Sequence, residues 1–380
     1  MSFLKKTALV LFLLGILGIA ATETALWLRD PQPDYPPVQL LLASDFPGLR
    51  PLAEYALNEE GLRTINWSAG GKKPGALRVL FIGGGTTDLF MHGAGDTWWG
   101  RAVRLVSEAS NVEIEAAAFG TGPPLILDGA RWLQQHGEEL EADLVVVDFG
   151  LGDVLNEGTE YIYDPDRFER LGVDERSAWE KFAERYSQTF RYLRVRKLAR
   201  IFESRRALMS RPGYIDGMLK QRREDYAKLP EIETLKREAA HDPLLEYLDG
   251  IDHLVDIGQR SGIALLILGE PLLHGPELGP ESRSLLRVSV RTGPDPGDLG
   301  RPDPAWVDAQ AARFYAAGAG RAASHGVAFA SLHGRIPRSA EAFLDDSLLT
   351  VEGCARMGEA VAPMILELVH SLPVASPGEP

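Results

Sequence analysis

Thr86 and Thr87 are the hydroxyl-bearing residues nearest to a run of three glycines at positions 83–85, and His92 follows five residues after Thr87. A hydroxyl becomes a nucleophile when a neighbouring base takes its proton, and imidazole is the usual base. Glycines at a turn allow backbone N–H groups to approach a ligand closely. The spacing is therefore compatible with an acyl-transfer site built from Thr86 or Thr87 with His92. The alternative is that all three are polar loop residues.

Carboxylates form a second group of candidates. Asp153 follows one apolar segment, and Asp345 and Asp346 precede the C-terminal helical pattern. Such a cluster could bind a cation. More often these side chains cap the helix that follows, a role that suits Asp345 or Thr350. The single cysteine and the eight scattered histidines do not have the spacing of a metal site. We therefore expect no metal and no cofactor.

The elements that would position these residues alternate along the chain. Apolar runs predict strands over residues 78–84, 112–119, 142–150, 263–269 and 327–332. Helical patterns lie over residues 96–109, 123–141, 244–261, 304–325 and 350–370. Strands that alternate with helices of this length imply a parallel sheet with right-handed crossovers. We therefore predict an α/β fold, a doubly wound parallel sheet in three layers, with the glycines at the carboxyl end of its first strand.

One reading of the glycine turn is a dinucleotide-binding motif. That motif requires G-x-G-x-x-G opening directly into a helix. Gly83 and Gly85 fit, but Asp88 stands at the sixth position, and residues 89–95 read as a loop. The pattern therefore disfavours a dinucleotide site.

A second reading covers most of the chain. The family pattern G-D-S-x-T after a strand corresponds to residues 83–87, GGGTT, and a later block glycine corresponds to Gly120. The pattern G-x-N-D corresponds to residues 150–153, GLGD, and D-x-x-H-L-T-x-x-G to residues 345–353, DDSLLTVEG. In these four blocks, over residues 78–370, the chain resembles the SGNH (GDSL-type) hydrolase superfamily. The resemblance implies a flavodoxin-like sheet and a cleft at its strand ends.

The resemblance also implies that the catalytic residues have been replaced. In this family a serine hydroxyl attacks an ester carbonyl, a histidine takes its proton and an aspartate orients the histidine. The serine position is Gly85 and the histidine position is Leu348, which leaves Asp345 as the remnant of the triad. The side-chain donor of the oxyanion hole is replaced by Gly152, although the backbone N–H groups of Gly85 and Gly120 could still point inward. The ordinary ester-hydrolase mechanism cannot run with these residues.

The N-terminus predicts attachment to a membrane. Lys5 and Lys6 precede an uncharged run from Thr7 to about Thr22 that is broken by Glu23. A span from Thr7 to Leu28, with Glu23 near the outer interface, has the ~20 residues needed to cross a bilayer. We favour an uncleaved signal anchor that leaves the bulk of the chain in the periplasm, single-pass in the cytoplasmic membrane. Cleavage after Ala20 or Ala21 is the alternative. The net charge of −14 argues against a nucleic-acid partner.

The organisation that we predict has four parts. Residues 1–29 form the anchor, 30–77 a Pro/Gly-rich connector and lead-in, 78–372 the SGNH-hydrolase-like domain, and 373–380 a disordered tail. The domain carries a helical insert, without strand signals, at about residues 156–242. Its basic segment, residues 191–206, reads either as a solvated helix packed on the domain or as a helix resting on anionic lipid or docking an acidic partner.

Two functions follow from these observations. The first is a pseudoenzyme of the cell envelope, a binding or scaffold subunit with a glycan or an envelope protein as partner. Its ligand site would be the old cleft, lined by Gly83, Gly85, Gly120, Gly150, Gly152, Asp153 and Leu348. The alternative is an active esterase, acyl hydrolase or acyltransferase on ester-bearing glycans or lipids, working through Thr86 or Thr87 with His92.

Overall fold

A computed structural model describes the chain over residues 38–43, 47–50, 52–58, 62–68, 71–120, 125–156, 211, 213–232, 242–291 and 299–372. The predicted anchor, the basic segment at 191–206 and the predicted tail at 373–380 lie outside these residues. Within the described ranges, no helix combines the length and the apolar character that a membrane crossing requires.

The strands occur throughout the described chain. In chain order they are β1 Val38–Ala43, β2 Leu52–Leu57, β3 Arg63–Ile65, β4 Leu77–Gly83, β5 Ile114–Phe119, β6 Leu144–Phe149, β7 Glu231–Ile232, β8 Ala264–Gly269, β9 Val290–Arg291, β10 Leu299–Pro302 and β11 Ala328–Ser331.

The helices alternate with the main strands. In chain order they are α1 Gly85–Asp88, α2 Trp98–Ser110, α3 Ile126–His136, α4 Leu151–Asn156, α5 Tyr214–Ala227, α6 Pro243–Ser261, α7 Pro280–Arg283, α8 Pro304–Ser324 and α9 Val351–Ser371. Thr97 caps α2 and Thr350 caps α9, each accepting a backbone N–H of the first turn through its side chain.

The central sheet has the strand order β11-β8-β6-β4-β5-β3. All neighbours in it are parallel except β3, which runs antiparallel to β5. The five parallel strands, numbered by their order in the chain, therefore lie as 2-1-3-4-5, the flavodoxin-like order. In this arrangement the strand order reverses between β4 and β6, and ligands bind in the crevice outside the carboxyl ends at that point. The predicted doubly wound α/β sheet is confirmed.

Helices cover both faces of the sheet. Val79 and Phe81 of β4 belong to one buried cluster with α2 and α9, whereas Leu80 and Ile82 belong to another with α3, α6 and α8. Every residue of β4 is buried, as a central strand of a three-layer domain requires. Burying each large apolar side chain stabilises the fold by roughly 1.5–3 kcal/mol.

Two segments differ from the sequence-based prediction. The lead-in over residues 30–77 contributes more than a connector, because β3 adds an antiparallel edge to the central sheet and β1 pairs with β2. The insert was predicted to lack strands, yet β7 pairs with β10 in a small separate sheet. β3 has three residues and β7 has two, which is too few for a recognisable apolar pattern.

Candidate functional site

The glycine turn lies at the switch point of the sheet, where β4 ends next to β6. Gly83 pairs with Asp148 in the parallel register. A Cβ on Gly83 would overlap the Thr87 hydroxyl and the carbonyl oxygen of Asp148, so only glycine fits there. Gly85 opens the short helix α1 and is exposed, although Thr86 and Thr87 after it are fully buried. The turn thus presents the position of residue 85 to solvent.

The polar groups of two neighbouring residues fix this turn. The indole N–H of Trp98 donates to the carbonyl oxygen of Thr86 at 3.0 Å, and that of Trp99 donates to the carbonyl oxygen of Thr87 at 3.1 Å. The Thr87 hydroxyl donates to Asp148 at 3.2 Å, and the Thr86 hydroxyl donates to the carboxylate of Glu270, which directly follows β8. The hydroxyl and the backbone carbonyl of Thr86 and of Thr87 therefore each have a hydrogen-bond partner.

Gly85, Leu348 and Asp345 lie together. A Cβ built on Gly85 would sit 3.4 Å from Cδ2 of Leu348, so the two side-chain positions face each other. Asp345 accepts the backbone N–H of Leu348 at 2.8 Å and that of Ser347 at 3.0 Å. It also forms an ion pair with Arg287. Gly85 thus meets Asp345 and Leu348, which come from the far end of the chain, at the carboxyl end of the sheet, as the order of the blocks predicts.

The electrostatics of Asp345 reflect this buried position. Burial raises the pKa of its carboxyl, and the Arg287 guanidinium opposes that rise. The carboxylate holds the loop that carries Leu348 and has no imidazole at that position to orient.

The remaining glycines of the blocks have packing roles. A Cβ on Gly120 would overlap the backbone of Asp88 and lie 2.7 Å from the carbonyl carbon of Thr87. A Cβ on Gly150 would overlap the hydroxyl of Tyr315. Glycine is therefore needed at both positions because other groups approach them closely. Whether these positions also contact a ligand stays a prediction.

The third block is bound to its surroundings. Gly152 lies within α4. Because it is a glycine, it has no side chain to act as the hydrogen-bond donor of the family pattern. Asp153 is buried and accepts the backbone N–H of Ile126 at 3.2 Å, which ties the start of α3 to α4. Burial raises the pKa of Asp153 well above its ordinary value.

The alternative hydroxyl–imidazole pair is not assembled. Nε2 of His92 bonds to the carbonyl oxygen of Leu349 at 2.9 Å, and burial lowers the pKa of His92 to about 4. A carbonyl oxygen can only accept, so this nitrogen carries the hydrogen. The hydroxyls of Thr86 and Thr87 donate to carboxylates. None of the hydrogen bonds among the described residues joins either hydroxyl to His92.

The carboxylates considered as cation ligands are also engaged elsewhere. Asp346 accepts Nε2 of His274 at 2.9 Å and the backbone N–H groups of Arg287 and Val288. Asp153 and Asp345 have the partners given above. In the part of the chain that the structure describes, no group of three His, Cys, Asp or Glu residues is arranged to hold a metal ion.

Glu270 is the central residue of the site. Its position after an apolar strand predicts either a residue that lines the cleft or one that only marks the loop. It follows β8 directly, accepts the Thr86 hydroxyl with one oxygen and accepts the backbone N–H of Leu151 with the other at 2.7 Å. It therefore connects the ends of β4, β6 and β8. Burial is the main cause that raises the pKa of its carboxyl, while the Thr86 bond opposes the rise. An acid directly after an all-apolar strand was the available signal.

The sequence matches no protein-family model and no curated protein. Similar solved structures include an acetylxylan esterase from Geobacillus stearothermophilus, with 12% identity and a TM-score of 0.39 over 78% of this chain and 96% of that one. A carbohydrate acetylesterase from Sinorhizobium meliloti has 12% identity and a TM-score of 0.39 over 77% and 99%. The aryl esterase of M. smegmatis has 13% identity and a TM-score of 0.40 over 78% and 100%.

The sheet itself decides the fold. Its parallel strands follow the order that the family resemblance implies, and the first and last sequence blocks meet at Gly85 and Leu348. The chain therefore has a flavodoxin-like, doubly wound α/β fold.

Proposed function

We propose that this protein is a non-catalytic SGNH-hydrolase-like subunit that binds a ligand or partner in the cell envelope. The observation that carries the proposal is the pairing of Gly85 with Leu348. A Cβ on Gly85 would lie 3.4 Å from Cδ2 of Leu348, so side chains at these two positions are neighbours, as a nucleophile and its base must be. One position has no side chain and the other has a hydrocarbon. Neither can donate, accept or transfer a proton.

The positions of the other hydroxyls support the same proposal. Thr86, Thr87 and His92 are all fully buried. His92 bonds to the carbonyl oxygen of Leu349, whereas the two hydroxyls bond to carboxylates. A nucleophile must reach its substrate and its base at hydrogen-bond distance. We therefore do not adopt the esterase or acyltransferase alternative.

The location in the envelope rests on the N-terminal sequence. Lys5 and Lys6 before the apolar stretch at 7–28 favour an anchor in the cytoplasmic membrane with the domain in the periplasm. A glycan or an envelope protein would be the partner in that compartment. Epitope accessibility to protease in spheroplasts, compared with intact cells, tests this placement.

The catalytic part of the proposal is tested with p-nitrophenyl acetate. The wild type is compared with Gly85→Ser/Leu348→His and with the matched control Gly85→Ala/Leu348→His, which lacks a nucleophile. We expect the wild type and the control to give the same background rate, because loss of a triad member costs about 10⁴ in kcat. Wild-type turnover well above the control, abolished by Thr86→Val or Thr87→Val, would overturn the proposal.

The binding part requires a second experiment. The wild-type protein and a Leu348→Arg variant, which places a charged side chain against Gly85, are recovered from the envelope after crosslinking and read by mass spectrometry. A glycan or protein that accompanies the wild type and is lost with the variant supports the proposal. Equal recovery with both proteins contradicts a role for the cleft.

A further inference from the structure

Three carboxyl side chains lie buried beneath the glycine turn. They belong to Asp148 in β6, Asp153 in α4 and Glu270 after β8, and they are 1%, 4% and 6% exposed. None of the ion pairs among the described residues involves any of the three. An ionised carboxylate without a paired cation is unfavourable in such surroundings, so it takes up a proton or gains a compensating ligand.

Several oxygens in this region have no hydrogen-bond partner. They are Oδ1 of Asp148, Oδ2 of Asp153 and the hydroxyls of Tyr247 and Tyr315. Buried polar atoms almost always have partners, and ordered water supplies them where protein groups do not. Four such atoms in one region therefore indicate a missing ligand.

Their positions converge around Tyr315. Its hydroxyl reaches Gly150, where a Cβ would also lie 3.0 Å from Cβ of Glu270. Glu270, Tyr247, Asp148 and Asp153 are the groups that act electrostatically on the Tyr315 hydroxyl. Asp153 acts in the same way on Tyr247. The residues that carry the unpartnered oxygens, together with Glu270, thus lie near one another in the interior.

We propose that Asp148, Asp153, Glu270, Tyr247 and Tyr315 form an internal water site whose carboxyls are protonated at neutral pH. Neutral carboxyls and phenols can both donate and accept, so together they supply the two to four partners that a buried water needs. A bound metal ion is the other way to compensate the charges, but the described carboxyls are not arranged for one. The water site shares Glu270 and Asp153 with the candidate functional site, but it does not depend on the function proposed for the cleft.

The charged groups around this site are engaged with one another. Asp128 on α3 pairs with Arg131, and Asp345 pairs with Arg287. The rings of Tyr315 and His333 pack edge to face, with 5.9 Å between their centroids.

His333 in turn lies 2.8 Å from Asp308, which also pairs with Arg338. Arg131, Arg287 and Arg338 therefore each have a carboxylate partner, and Asp128 and Asp345 add to the cost of ionising the cluster.

The protonation state is connected to the glycine turn. Glu270 accepts the hydroxyl of Thr86, and Asp148 accepts the hydroxyl of Thr87. Burial raises the pKa values of Asp148 and Asp153 well above the ordinary range and raises that of Glu270. The native state therefore binds more protons than the unfolded chain above the ordinary carboxyl pKa. The stability contributed in this way is complete at low pH and is lost as the pH rises through the native pKa values.

Infrared spectroscopy of the full-length protein tests the protonation directly. We expect a carboxylic-acid C=O band at pH 7 that shifts in D₂O. Asp148→Asn, Asp153→Asn and Glu270→Gln should each reduce it, whereas the exposed control Glu113→Gln should leave it unchanged. Absence of this band from the wild type at pH 7 would overturn the proposal, and this result needs no variant to fold.

Two further measurements separate water from other occupants. A high-resolution crystal structure should show water within hydrogen-bond distance of the Tyr315 hydroxyl and Oδ1 of Asp148, and a dry interior or a metal ion there would refute the water site. The urea concentration at the unfolding midpoint of the wild type should decrease as the pH is raised from 5 to 9. Asp148→Asn should make this midpoint less dependent on pH. An equal slope in both proteins would count against the proton-bearing cluster.

Discussion

Gly120→Ala should destabilise the protein strongly, although it adds only one methyl group. The added Cβ would overlap the backbone nitrogen and Cα of Asp88 and lie 2.7 Å from the carbonyl carbon of Thr87. Non-bonded carbon atoms prefer about 3.5–4.0 Å, so the turn would have to move by roughly 0.8 Å or more. The end of β5 and the glycine turn are in contact here, and this contact is what the substitution probes.

The turn cannot move without losing hydrogen bonds. The backbone N–H of Asp88 donates to Gly84 at 3.0 Å, and the carbonyl oxygen of Thr87 accepts the indole N–H of Trp99 at 3.1 Å. Arg63 donates to the carbonyl oxygen of Asp88. Overpacking of this kind typically costs about 1–3 kcal/mol, and we expect the upper end, about 3 kcal/mol, because the obstacle is backbone.

Urea and thermal unfolding followed by tryptophan fluorescence measure this effect. A loss of about 3 kcal/mol corresponds to a fall in Tm of roughly 6–12 °C. Gly320→Ala is the matched control, because a Cβ on Gly320 in α8 meets no atom within 4 Å and alanine is favoured over glycine in a helix by roughly 0.5–1 kcal/mol. The reasoning is refuted if Gly120→Ala unfolds at or above the wild-type midpoint while Gly320→Ala behaves as expected.

Two further predictions concern groups away from the turn. Arg78→Met should cost about 3–5 kcal/mol, since it leaves Glu115 buried without the guanidinium that now lies 2.6 Å away; the exposed control Lys73→Met should keep nearly the wild-type urea midpoint, and equal losses would contradict this account. His92→Gln should reduce the acid sensitivity of folding. The pKa of His92 falls from 6.5 to about 4 in the native state, so wild-type stability decreases as the pH drops through this window, by up to roughly 1.4 kcal/mol per pH unit. Parallel pH profiles for wild type and variant would show that His92 does not titrate in this way.

The main sheet was predictable because its strands are marked by local pattern. Continuous apolar runs such as β4 and β6 are long enough to identify without tertiary information. β3 was not predictable, since Arg63–Ile65 is three residues long and begins with an arginine. Arg63 is buried because its guanidinium donates to backbone carbonyls of the loop after α1 and lies over the ring of Tyr55. Those partners are supplied only by the folded chain.

The positions of the sequence blocks relative to one another could be predicted from the sequence. The contacts between side chains from different strands could not. The resemblance placed Gly85 and Leu348 opposite each other, and their contact follows from the strand order. The role of Glu270 depends on Thr86 and Leu151, which are 184 and 119 residues away in the sequence. No local pattern encodes such a meeting. The acid was visible in the sequence, and its partners were not.

The residue at position 85 does not determine how the turn is held. The turn is held by Trp98, Trp99, Asp148 and Glu270, and none of these residues depends on the side chain at position 85. A Cβ at position 85 would meet only Cδ2 of Leu348, at 3.4 Å, so the same turn accommodates a glycine or a small side chain. The histidine position differs, because Leu348 is buried against Gly85 and adds apolar contact. The turn is therefore held whether or not residue 85 can react, and glycine and leucine at positions 85 and 348 fit the binding role that we propose.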